Sequence, residues 1–152
     1  MPLAQLNISR MLAPDINHPI MADFVAQLDT INQLAEQSDG FIWRLTGDGN
    51  DATSLRPFDD ERIIVNMSVW ASVEQLQAFV FKSNHTAVMK DRRKWFEKPE
   101  QIMTVLWWIP TGHVPTVDEA KERLNQLNTN GPGPFAFTFR DVWPEPVETN
   151  FM

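Results

Sequence analysis

The sequence predicts an α+β fold of the ferredoxin-like, split-βαβ kind: an antiparallel sheet with helices on one face, followed by an extra helix and strand. Three observations point there. Period-2 and continuously apolar runs alternate with helical stripes in the order β-α-β-β-α-β-α-β. The run 63–96, IIVNMSVWASVEQLQAFVFKSNHTAVMKDRRKWF, reads as a buried strand ending on Trp70, a sharp turn and a long helix. The 152 residues suffice for one core, so 1–152 is expected to be a single domain.

Residues 3–11 alternate, with Ala4, Leu6 and Ile8 on one side and Gln5, Asn7 and Ser9 on the other, which is a strand. Pro14 ends it. Asp15 or Asn17 is placed to cap a helix over about 19–37, whose apolar residues, among them Ile20, Phe24, Leu28, Ile31 and Ala35, form one stripe. Gly40 is its expected C-terminal punctuation. A strand over 41–46 leads into the polar connection 47–62, GDGNDATSLRPFDDER, whose aspartates fail calcium-loop spacing and whose glycines fail dinucleotide-loop placement.

Strand 63–70 has little exposed character on either face. Ser72 caps the next helix, with Gln75 at the capping-box position. Val73, Leu76, Val80 and Ala87 make one stripe. Phe81, His85, Met89, Arg92 and Phe96 make a second, with a break expected at Ser83 or Asn84. A strand over 102–109 ends in Trp107 and Trp108, a helix opens at Thr116 and runs over about 117–127, and a last strand is expected over 135–141. Residues 143–152 have no periodicity and are expected to form a loosely ordered tail.

The net charge of −7 argues against nucleic-acid binding. Residues 82–98 nevertheless carry six basic side chains against two acidic ones. That basic end suits an anionic small molecule, and a solvated helix face accounts for the same charges. There is no cysteine, which removes disulfides and thiolate metal sites and agrees with a cytoplasmic setting. No apolar run reaches the roughly 18 residues of a membrane span, and the first residues lack the pattern of a signal peptide. Neither a metal nor a cofactor is implied.

Strands 63–70 and 102–109 are largely apolar on both faces. Burying one such side chain is worth about 1.5–3 kcal/mol. Leaving them in water would cost as much as a whole domain's net stability, roughly 5–15 kcal/mol. A homodimer closing sheet face on sheet face covers them; cover by the extra helix of the same chain is the alternative.

WASVEQLQAFVFKSNHTAVMKDRRKWF, with AQLNI near the start and the Trp107-Trp108 strand, resembles the bacterial family called domain of unknown function 3291 over nearly the whole chain. More distantly, Trp70, Ser72, Glu74, Leu76, Ser83 and His85 are similar to a pattern of the antibiotic-biosynthesis monooxygenases, which are dimeric α+β barrels. That resemblance implies a sheet-helix cleft in which an activated aromatic or polycyclic substrate reacts with oxygen without metal or flavin. The chain then supplies a dry aromatic enclosure, a proton acceptor and oxyanion donors. On this reading His85, Asn7 and Asn66 are the catalytic candidates. Arg44, Trp70, Phe81, Met89, Arg92, Trp95 and Trp107 are the substrate-binding ones. Heme-degrading relatives combine an Asn on the first strand with a Trp and a His on the helix. Asn7 matches, but Phe79 and Met89 stand at or near the other two positions, which weighs against heme breakdown. A non-catalytic small-molecule-binding dimer is the other functional reading. For each residue a plain structural role competes: His85 as a hydrogen-bonded helix-break residue, the tryptophans as core, Arg92 as surface charge. Gln5, Asn7, Asn66, Ser68 and Arg44 line a pocket only if all of them point to one side.

Overall fold

The strand pattern of the sequence yields a four-stranded antiparallel sheet, described here in a computed structural model for residues 1–47, 58, 60–82, 92–99 and 101–146. The strands are β1 (Leu3–Arg10), β2 (Phe41–Arg44), β3 (Ile63–Trp70) and β4 (Thr104–Trp108), in the order β2-β3-β1-β4. The helices are α1 (Ala22–Glu36), α2 (Val73–Lys82) and α3 (Val117–Asn130). β3 lies between β1 and β2, and β1 between β3 and β4, so each β-α-β unit is split by a strand of the other. The expected helix break at Ser83 or Asn84 and the tip of the 47–62 connection lie outside the described residues, as does the end of the tail.

Register fixes which side chains share a face. β1 pairs with β3 as Gln5↔Ser68 and Asn7↔Asn66, and with β4 as Asn7↔Thr104. Because successive strand residues point to opposite faces, Gln5, Asn7 and Ser9 share one face with Asn66, Ser68 and Trp70. Ala4, Leu6, Ile8, Val65, Met67, Val69, Val105 and Trp107 share the other.

The helices do not all lie on one face. α1 and α2 pack over the polar-bearing face, where Trp70, Leu76, Phe79 and Ala35 belong to one cluster. α3 lies on the opposite face, with Ala120, Leu124 and Leu127 buried against Leu6, Val65 and Val105. The cover that the apolar second face requires thus comes from the same chain, through the alternative that its amphipathic C-terminal helix provided.

Local chemistry sets the helix ends. His18, not Asp15 or Asn17, caps the entry to α1: its Nδ1 accepts from the Ile20 amide at 3.2 Å, ahead of a 3₁₀ turn over Pro19–Met21. Ser72 Oγ accepts from the Gln75 amide at 3.2 Å and donates to Gln75 Oε1 at 3.1 Å, forming the capping contact its spacing predicts. Gly40 lies beyond α1 at φ +86°, with its carbonyl accepting from the Ala71 amide at 2.7 Å.

Two further expectations differ from the structure. A helix does not run through to residue 96: residues Arg92–Lys94 form a 3₁₀ turn, and Phe96 makes a β-bridge with Met11. Phe96 therefore packs edge-on against Phe24, with ring centroids 5.0 Å apart, instead of extending the stripe from Phe81. The expected strand 135–141 shrinks to one bridge, in which Phe137 and Leu106 exchange hydrogen bonds of 2.8 and 2.9 Å. Turns close on either side, Gly133 N to Ala136 O and Asp141 N to Thr138 O, leaving a single residue free to pair.

Candidate functional site

Between the polar-bearing face of the sheet and helices α1 and α2 lies a cavity of about 530 Å³. That is the size of a small-molecule site, commonly about 300–1,000 Å³. From α1 it receives Phe24, Leu28, Ile31 and Ala35, and from α2 Leu76, Phe79 and Val80. Trp70 stacks on Phe79 with ring centroids 5.2 Å apart and meets Phe41 edge-on at 5.5 Å, which makes a rigid aromatic wall.

A row of amides and hydroxyls crosses the sheet inside this apolar enclosure. Gln5 Nε2 donates to Asn66 Oδ1 at 2.7 Å and to Ser68 Oγ at 2.8 Å. Trp70 Nε1 donates to the same Ser68 oxygen at 2.9 Å. Asn7 Nδ2 donates to Thr104 Oγ1 at 2.6 Å. Donor arithmetic then leaves specific groups unspent. Ser68 Oγ accepts twice, so its hydrogen remains to donate, and the Thr104 hydroxyl hydrogen and the Asn66 amide hydrogens have no acceptor among the described residues. Gln5 and Ser68 are buried while Asn66 is exposed, so the row runs from the cavity's interior to its mouth.

Asn32 adds a group that the sequence reading did not single out. It lines the cavity from α1, is only 8% exposed, and has no side-chain hydrogen bond among the described residues. It was hidden because it sits beside Ile31 at helical spacing, where polar residues usually face water. Its signal is its place between Leu28 and Ala35 on the stripe.

Of the residues singled out from the sequence, Asn7, Asn66, Arg44, Trp70, Phe81 and Arg92 line the cavity, and so do Gln5 and Ser68. Arg44 Nε is held at 2.7 Å by Glu36 Oε1. Phe81 is half exposed and meets Phe139 edge-on at 5.6 Å. Trp95 does not line the cavity and is buried against Phe24 and Phe96, which do. Trp107 is on the opposite face, its Nε1 bonded to Glu119 Oε2 at 2.8 Å. His85 and Met89 lie outside the described residues. Among the described residues, no group of three His, Asp or Glu side chains is arranged to hold a metal ion. No described helix is long and apolar enough to cross a membrane.

The family model described as Domain of unknown function (DUF3291) matches residues 2–151. Among solved structures, a protein of unknown function from Nitrosomonas europaea is similar at 14% identity. That match covers 76% of this chain and 95% of that one, with a TM-score of 0.49. No curated protein matches.

Proposed function

Since the chain belongs to the DUF3291 family, whose description carries no activity, we propose a function from the cavity itself: the protein binds a small, largely apolar molecule between its sheet and helices α1 and α2. The observation that carries this reading is the hydrogen-bonded row Gln5–Asn66–Ser68–Trp70 set into an apolar enclosure, with donors left over. An interior evolved only for stability gains nothing from a buried donor such as the Ser68 hydroxyl, which has no acceptor among the described residues and so costs about 1–3 kcal/mol. A ligand oxygen satisfies it.

A finer reading is a cofactor-independent, monooxygenase-like transformation of an aromatic molecule in the same space. It is favoured by the same spare donors, which suit a developing oxyanion, and by the Trp70–Phe79 wall. No carboxylate or imidazole is among the described residues that line the cavity. The proton acceptor of this reading is therefore the sequence-assigned His85. Replacement by Ala then abolishes turnover while ligand affinity persists; a purely binding cavity shows no turnover in either protein.

Native mass spectrometry of freshly purified protein tests the binding reading. A small molecule that co-purifies and is released on denaturation supports it. The same spectrum reads the oligomeric mass, and with it the homodimer expected from the sequence, whose sheet-face interface would now have to form over α3.

A further inference from the structure

We infer that the molecule bound in this cavity is an anion: an apolar ring or chain bearing a carboxylate or an enolate-like oxygen at the cavity mouth. The inference rests on the proposed binding reading and adds the ligand's charge. Three arginines line the cavity, Arg44, Arg92 and Arg140, and no described aspartate or glutamate does. This is the reverse of the whole chain, which carries 20 acidic residues against 13 basic ones.

The three cations are not equivalent. Arg44 is largely buried and is already paired with Glu36. Arg92 is half-buried in its 3₁₀ turn and Arg140 is exposed, so both stand where the cavity meets solvent. Neither has an ion-pair partner among the described residues. Arg140 follows Phe139, which packs on Phe81 at the end of α2, so its backbone is fixed beside the cavity rim. The exposed Asn66 amide lines the same cavity, and its hydrogens have no acceptor among the described residues. Two guanidinium groups and an amide donor together suit an anionic oxygen pair. The buried Asn32 amide and the Ser68 hydroxyl are donors left for a second, neutral oxygen on the apolar body. A cation gains nothing in this lining, because no described carboxylate is there to pair with it.

Isothermal titration calorimetry with 2-naphthoate and its neutral counterpart 2-naphthamide tests this. We expect the acid to bind roughly tenfold or more tighter than the amide. We expect rising salt to narrow the gap. The double variant R92Q/R140Q should bring the acid down to the amide, while R93Q, an exposed arginine outside the lining, keeps the preference. Equal binding of acid and amide overturns the anion inference and leaves the cavity a binding site. Failure of both probes overturns the binding reading along with it.

Discussion

Trp107 Nε1 donates to Glu119 Oε2 at 2.8 Å, while His113 Nε2 lies 2.7 Å from the other oxygen of the same carboxylate. This pairing clamps α3 to β4 on the side of the sheet away from the cavity. Burial pushes the Glu119 carboxyl up, but the hydrogen bonds from His113 and Trp107 outweigh it and hold it below its ordinary value. A carboxylate lowered in this way contributes stability above its unfolded value and loses it as pH falls through the folded one. Urea midpoints of wild type and Glu119→Gln should therefore differ most near neutral pH and converge below the ordinary carboxylate range. A gap that stays constant with pH would show that the ionised form contributes nothing.

Ser68 holds two donors at once, Gln5 Nε2 and Trp70 Nε1. Replacing it with Ala leaves both buried without that acceptor. The expected loss is about 1–3 kcal/mol in chemical denaturation. Ser68→Ala should also weaken binding of whatever molecule co-purifies with the protein.

Gly40 and Gly112 both sit at positive φ, yet their surroundings differ. A Cβ on Gly40 would collide with the Gln75 side chain, whereas one on Gly112 meets open space. Gly112→Ala should cost only the backbone strain, about 1–2 kcal/mol. Gly40→Ala should cost more, and Gln75→Ala should recover part of the excess in a double-mutant cycle. Equal costs at the two glycines would remove the packing term.

Leu124 is buried from α3 against the second face of the sheet. Leu124→Ala should destabilise by about 2–5 kcal/mol through loss of burial and the cavity left behind. Leu124→Asp should uncover that apolar face and make the protein self-associate, read as a rising mass in light scattering. An unchanged melting temperature in both variants would contradict the role given to α3.

Much of this fold was legible because strong local signals agreed with burial. The apolar run of β3 matches Ile63–Trp70, and Ser72 with Gln75 marks the start of α2. The polar row was visible as Gln5, Asn7, Asn66 and Ser68 interrupting apolar strands. That they meet on one face depends on inter-strand register, which a single strand's pattern does not contain. An aromatic residue suits either face of a strand buried on both sides, so the place of Trp107 on the α3 side depends on register. Arg140 went unnoticed because it reaches the cavity through a one-residue bridge that looks like a longer strand in the alternation of Phe135, Phe137 and Phe139. Phe135 instead stands under the Arg123 guanidinium, 3.6 Å from its ring centroid. Asn32 carries no sequence mark apart from its neighbours.

The most direct test of a ligand site between the sheet and helices α1 and α2 is a methyl NMR titration of the full chain with 2-naphthoate and 2-naphthamide. Shifts confined to Leu28, Ile31, Ile64 and Leu76, with Leu124, Leu127 and Val105 unmoved, are the expected result. Shifts centred on the α3 face, or none with either probe, would contradict it.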